Sequence, residues 1–140
     1  MDNRPPIDKI YMKFAWLISE RSTCSRLKVG CVIVGEGKRR VLSIGYNGNY
    51  VGGPNKCDST EPGNCGCLHA EEGACIKLDY KEPIKLAYIT HSPCKMCAKR
   101  LINAGVSHVF YDKKYRSEEG IDLFRLAGID VTHIGVKHEY

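Results

Sequence analysis

His69-Ala70-Glu71 and, further along, Pro93-Cys94-Lys95-Met96-Cys97 are the two stretches on which the reading of this chain turns. Together they offer one imidazole and two thiolates to a single metal ion. Zn²⁺ accepts His nitrogen and Cys sulfur at roughly 2.0 to 2.3 Å, and a zinc site that performs chemistry uses three protein ligands and leaves the fourth tetrahedral position to water. Cys94 and Cys97 follow Pro93, a residue favoured at helix starts. Their spacing therefore predicts two sulfurs on one face of a first helical turn, where the positive helix end favours thiolates. His69 opens a second segment, rich in Ala, Glu, Lys and Leu, that is predicted to be helical over residues 70–78.

A zinc ion of this kind lowers the pKa of water from about 15.7 toward about 7. Glu71, two residues from His69, is placed to take the water proton and pass it to the leaving group, which is general acid/base work. Glu72 is turned about 100° away along a helix and reads as a solvated residue. A lone C-x-x-C would leave a structural metal, a redox pair and chance spacing all open. Here H-x-E, the proline and the separation agree on a catalytic zinc.

Working outward, Ile7, Ile10, Phe14, Leu17 and Ile18 recur at helical spacing and predict an amphipathic helix over residues 6–21. Val29 to Gly35 and Val41 to Tyr46 read as a β-hairpin turned by Gly35-Glu36-Gly37-Lys38. Residues 47–68 mix Asn, Gly, Pro, Asp and Ser and read as one long loop, a kind of segment that is usually functional when it occurs in a compact domain. After the His69 helix come a buried strand (84–90), the Cys94 helix to about residue 104 stopped by Gly105, a strand (106–111), a helix (117–127) ended by Gly128, and a strand (129–134). The order α, β, β and then repeated αβ units predicts an α/β three-layer αβα sandwich around a mixed sheet, formed as a single domain over residues 1–140.

The chain has 140 residues, 43% of them hydrophobic and 26% charged, which is ample for a packed core. No stretch approaches the ~20 apolar residues of a membrane span, and no charged-then-apolar leader is visible, so no membrane partner is expected. Eight cysteines without a secretion signal point to a reducing compartment, with the cytoplasm as the expected location. The net charge of +5 and pI near 8.8 suit an anionic small ligand or a nucleic acid. Lys38-Arg39-Arg40 is the densest basic run and reads as a solvated turn or a phosphate contact. With no basic stripe interleaved with aromatics, nucleic acid is not the leading partner.

The paired motifs match the established signature of zinc deaminases acting on nucleobases. Arg21-Ser22-Thr23-Cys24-Ser25-Arg26, Gly45-Tyr46-Asn47-Gly48, Thr90-His91-Ser92-Pro93, Cys97-Ala98, Gly105-Val106 and Tyr111 to Tyr115 extend the likeness over most of residues 10–115. On these residues the chain resembles the cytidine deaminase superfamily, and within it the deoxycytidylate (dCMP) deaminases. The resemblance implies a five-stranded central sheet, Zn²⁺ as cofactor held by His69, Cys94 and Cys97, and Glu71 as the catalytic residue. It further implies hydrolysis of dCMP to dUMP for thymidylate synthesis, and a homo-oligomer, usually a hexamer, with dCTP and dTTP as effectors. It places Arg26, Asn47, Ala70, Ser92, Pro93 and Tyr115 against the deoxycytidine nucleotide substrate, with Arg26 near the phosphate, Asn47 on the sugar and Tyr115 closing the pocket. From the residues alone, Arg26 reads equally as a surface cation, Asn47 as a turn former and Tyr115 as a core aromatic.

Two departures from the family pattern stand out. Gly73 occupies a helix position where relatives commonly carry asparagine, and it reads as a weak point or as a site of close approach. Residues 49–67 differ as well, which keeps dCTP and 5-substituted dCMP open as substrates. A tRNA adenosine deaminase shares the zinc motifs and is the competing enzyme reading. A non-catalytic zinc module would have no need of Glu71. Cys57, Cys65 and Cys67 sit in the same loop and read either as ordinary reduced thiols or as ligands of a second, structural metal, with His91 or Cys24 as a distant fourth partner.

Overall fold

The computed structural model describes residues 3–61, 65–79, 81–115 and 117–137. Every residue of strand β1 (Gly30–Gly35) is buried, so the strand has two dry faces, and its side chains divide between them by alternation. Cys31 and Ile33 enter one apolar cluster, whereas Val32 and Val34 enter the other. Strand β2 (Val41–Tyr46) returns antiparallel to β1 after a short 3-10 turn over Glu36–Lys38. Strands β3 (Lys85–His91), β4 (Val106–Lys113) and β5 (Asp130–His133) complete a five-stranded sheet in the order β2-β1-β3-β4-β5. β1 pairs antiparallel with β3, while β3, β4 and β5 are parallel to one another. Parallel neighbours need a crossover, and helices α3 (Lys95–Asn103) and α4 (Glu119–Leu126) supply the two required.

Helix α1 (Ile7–Ser19) covers one face of the sheet through Met12 and Ala15, which pack with Val32, Val34, Leu86, Tyr88 and Phe110. Helix α2 (Ala70–Ile76), together with α3 and α4, covers the other face. Ala70, Ala74, Ala98, Leu101 and Phe124 there meet Cys31, Ile33, Ala87, Ile89 and Val109. The result is the expected αβα sandwich with its mixed sheet.

The helices are shorter than the periodicity predicts, and their ends show why. α2 stops at Ile76 because the Lys77 and Leu78 N–H groups bond back three residues to Ala74 and Cys75, tightening the last turn. α4 begins at Glu119, after a turn in which the Ser117 hydroxyl accepts the Glu119 N–H at 3.1 Å. The basic run at the hairpin turn is not simply solvated. Lys38 pairs with Asp8 at 2.8 Å and lies over the Phe110 ring, and Arg40 pairs with Glu82. Within the long loop 47–68, residues 62–64 lie outside the described residues.

Gly45 is where two backbones meet. A side chain there would strike the Ala70 carbonyl oxygen at 2.1 Å, so glycine lets α2 lie directly on β2. At Gly73 an added methyl group would meet only the Gly45 Cα, at 4.0 Å, so the close approach belongs to Gly45 and not to Gly73.

Candidate active site

Both metal-binding motifs sit at helix starts beyond the sheet. His69 and Cys94 are the residues immediately before α2 and α3, each with extended backbone. Pro93 therefore lies one position outside the helix, not on its first turn. The Cys94 Sγ accepts the Cys97 N–H at 3.4 Å, which fixes the two sulfurs on one side of the first turn as the spacing predicts. His69 Nδ1 lies 3.1 Å from Cys97 Sγ and 3.6 Å from Cys94 Sγ. A tetrahedral zinc with ordinary bond lengths would set nitrogen and sulfur ligands about 3.6 Å apart. The three donor atoms lie within 4.8 Å of one another, so both the donor set and its spacing fit Zn²⁺. Bonds from the Cys97 thiol and the His69 ring hold Cys94 far below the usual thiol range, as the thiolate a metal needs.

Glu71 is only 4% exposed, and it lines the same cleft as His69 and Cys94. Burial pushes its carboxyl up to about 7. Glu72 does not behave as the solvated residue expected of it. Its carboxylate accepts the His69 backbone N–H at 2.9 Å and pairs with Arg100 at 3.4 Å. This closes the N-terminus of α2 and sets the residue that carries the imidazole.

The cleft in front of Glu71 has a volume of about 570 Å³, within the range that accepts a small ligand. Arg26, Asn47, Ala70, Ser92 and Tyr115 all line it. Arg26 is exposed at the rim. Asn47 is buried, its Oδ1 accepting the Val29 N–H at 2.8 Å and its Nδ2 donating to the Leu27 carbonyl at 2.6 Å. Half of the amide's capacity therefore straps down residues 27–29, leaving one N–H and one lone pair. The Ser92 hydroxyl accepts the Tyr115 N–H at 2.7 Å, which draws the segment after β4 over the cleft. Pro93 is fully buried, with its carbonyl oxygen against Gly120, and it does not line the cleft.

Leu27, Val29 and His91 also line the cleft, and no local pattern in the sequence assigns the first two to it. His91 could have been suspected, since it lies directly before the metal loop. Its Nδ1 lies 2.8 Å from the Thr90 hydroxyl and its ring meets the edge of Trp16, so it does not join the loop cysteines. Cys24 does, bringing its sulfur within 4.8 Å of those of Cys57, Cys65 and Cys67.

An αβα sandwich with a His-Cys-Cys triad above a buried glutamate defines a zinc protein of the cytidine deaminase-like fold. The sequence family described as the cytidine and deoxycytidylate deaminase zinc-binding region matches residues 5–113. The chain is 36% identical to the deoxycytidylate deaminase of Saccharomyces cerevisiae over 97% of its own length, and spans 47% of that protein. It is 31% identical to the deoxycytidylate deaminase of Mycobacterium phage D29, covering 80% of this chain and 98% of that one. The dCMP deaminase of cyanophage S-TIM5, solved with dCMP and dUMP, matches with TM-score 0.82 and 37% identity over 95% of this chain and 100% of that one. The chain belongs to the cytidine and deoxycytidylate deaminase family, and its metal is zinc.

Proposed function

We propose that this protein hydrolyses the exocyclic amine of dCMP, releasing ammonia and dUMP, the nucleotide that thymidylate synthesis consumes. The observation that carries this reading is a buried carboxylate, Glu71, set beside the His69-Cys94-Cys97 triad in a cleft with a guanidinium at its rim. The S-TIM5 relative with bound dCMP and dUMP supports the choice of substrate.

When bound, zinc makes water acidic enough to be attacked by a base at neutral pH. Glu71 takes the proton from the water whose oxygen adds to C4 of cytosine, and delivers it to ring N3. The same carboxyl then takes the proton of the hydroxyl now on C4 and passes it to N4, the C4–N4 bond breaks as the C4 carbonyl forms, and ammonia leaves. A carboxyl near 7 serves as both base and acid in one cycle. Arg26 grips the phosphate, the spare N–H and lone pair of Asn47 meet the sugar hydroxyl, Ala70 and Ser92 flank the base, and Tyr115 closes over it.

The same reading makes the protein a cytoplasmic homo-oligomer, a hexamer, with dCTP and dTTP as effectors. None of the eight cysteines is joined in a disulfide, which agrees with a reducing compartment. No helix among the described residues is long and apolar enough to cross a membrane.

Loss of ultraviolet absorbance on dCMP, dCTP, 5-methyl-dCMP, deoxycytidine and an adenosine-bearing tRNA hairpin tests the proposal. The expected result is the highest kcat/KM on dCMP, with a large drop on deoxycytidine. Preference for the hairpin would assign the chain to RNA, and equal rates on deoxycytidine and dCMP would remove Arg26 from its role. In Glu71→Gln, zinc content is expected to be unchanged while kcat falls by roughly 10²- to 10⁴-fold. Near-native turnover in that variant would overturn the assignment of Glu71.

A further inference from the structure

We propose that Cys24, Cys57, Cys65 and Cys67 bind a second zinc ion as four thiolates, a structural site that ties the β2–α2 loop to the segment after α1. These four sulfurs come from three separate stretches of chain, yet all lie within 4.8 Å of one another. Cys57 Sγ is 3.6 Å from Cys24 Sγ, and Cys67 Sγ is 3.5 Å from Cys57 Sγ. Four sulfurs at about 2.3 Å from one zinc stand about 3.8 Å apart along each tetrahedral edge. A disulfide would need them at about 2.05 Å. The spacing is that of a coordination shell.

The backbone is arranged around the same point. Gly66 lies between Cys65 and Cys67 at φ +80°, a conformation disfavoured for any residue with a side chain, and it lets both flanking thiols turn to one side. The Cys65 carbonyl accepts the Asp58 N–H at 2.7 Å and the Ser59 N–H at 3.3 Å, holding the turn after Cys57 against the segment that carries Cys65. The Ser22 hydroxyl accepts the Cys24 N–H at 3.2 Å, fixing the fourth ligand on the core side, where Cys24 is 6% exposed.

Apolar burial does not perform this task. Tyr50, Val51 and Leu68, the large hydrophobics of the loop, are 65%, 102% and 43% exposed. A metal supplies the cross-link that a core would otherwise provide, and four thiols without an open position make a closed, non-catalytic site. Each thiol gives its proton to solvent on binding. Since Cys24, Cys65 and Cys67 also line the substrate cleft, the ion would stiffen one wall of it, two residues from Arg26.

The test is metal content of the full-length protein, purified under reducing conditions, in the wild type and in Cys57→Ser, Cys57→His and His69→Ala. Both ligand groups filled correspond to two zinc ions per chain. Cys57→Ser is expected to lose one of these, whereas Cys57→His, which keeps a nitrogen ligand, retains it. His69→Ala is expected to lose the catalytic ion alone. X-ray absorption at the zinc edge should then find about three sulfurs per zinc in the wild type, about four in His69→Ala and about two in Cys57→Ser. One zinc in the wild type would overturn the proposal, as would iron in place of the second zinc, a count unchanged by Cys57→Ser, or an intact mass showing a disulfide among the four. The readout is independent of turnover, so failure of the deaminase assay leaves it standing.

Discussion

Glu71 and Glu72 are neighbours with opposite surroundings, because one step of 100° along a helix sends the first into the cleft and the second back over the helix start. Glu72 accepts the His69 N–H and meets Arg100, so its carboxylate holds in place the residue that offers the imidazole. Removing it in Glu72→Ala is expected to cost about 1 kcal/mol of unfolding free energy, as loss of a cap does elsewhere. Glu72→Gln, whose amide oxygen still accepts the bond, should recover most of that. Equal urea midpoints for the wild type and the alanine variant would show that the cap contributes nothing. Gly73 one position further on makes the opposite case. A methyl group there meets nothing closer than 4.0 Å, and the helix carries the entropic cost of glycine without a packing reason. Gly73→Ala is therefore expected to raise unfolding free energy by roughly 0.5 to 1 kcal/mol. A urea midpoint at or below that of the wild type would mean that position 73 needs its glycine for another purpose.

Among the elements, α1 is held to the sheet by a polar clasp as well as by apolar packing. Asp8 accepts from Lys38 and from the Tyr88 hydroxyl, and Tyr88 stacks on Phe110 with centroids 4.5 Å apart. Burial raises the Asp8 carboxyl, but the bonds from Lys38 and Tyr88 and the charge of Lys38 outweigh it, leaving the folded value below its ordinary 3.8. A carboxyl lowered on folding stabilises at all pH above its unfolded value, and that stability is lost as pH falls through the folded one. Asp8→Asn is expected to be less stable than the wild type at pH 7, with the gap closing below about pH 4. A gap in melting temperature that stays constant from pH 7 to pH 3 would remove the clasp as its cause. The clasp was hidden in the sequence because its members are far apart along the chain. Strand and helix identities were legible, since β1 and β3 are apolar runs and Cys94 and Gly105 mark where α3 starts and stops. What the sequence concealed depends on distant partners. β4 runs on to Lys113, two residues past its apolar pattern, because Lys113 still pairs with His91 of β3, and the Trp16 indole donates to buried Asp112 there at 2.8 Å. Glu72 read as solvated because Arg100 sits on another helix. Asn47 read as a turn former or a sugar ligand, and its backbone strap to residues 27 and 29 has no local signature.

At the scale of the whole molecule, the sheet and its two apolar clusters form the core, whereas the residues that line the cleft lie at the end of β3, as His91 does, or beyond the strands, on helix starts and loops. The zinc ligands were legible for that reason. A triad fixed at two helix starts keeps its spacing in the sequence, while the cleft wall is assembled from Cys24, Arg26, Leu27, Cys65 and Tyr115, which the chain brings together only by folding. A ligand that binds only the native state stabilises it by about 4 kcal/mol at a thousand times its dissociation constant, so the metal-free and zinc-replete proteins must differ in stability. The layout further predicts where they differ. Removal of zinc by a strong chelator is expected to lower the melting temperature and to expose residues 47–68 to proteolysis and amide exchange first, with the amides of β1, β3 and β4 still protected. Restoring zinc should return both the melting temperature and the loop protection. If chelation instead released β3 and β4 to exchange at the same rate as the loop, the metal would be part of the folding core, and the separation of scaffold from site argued from the burial pattern would fail.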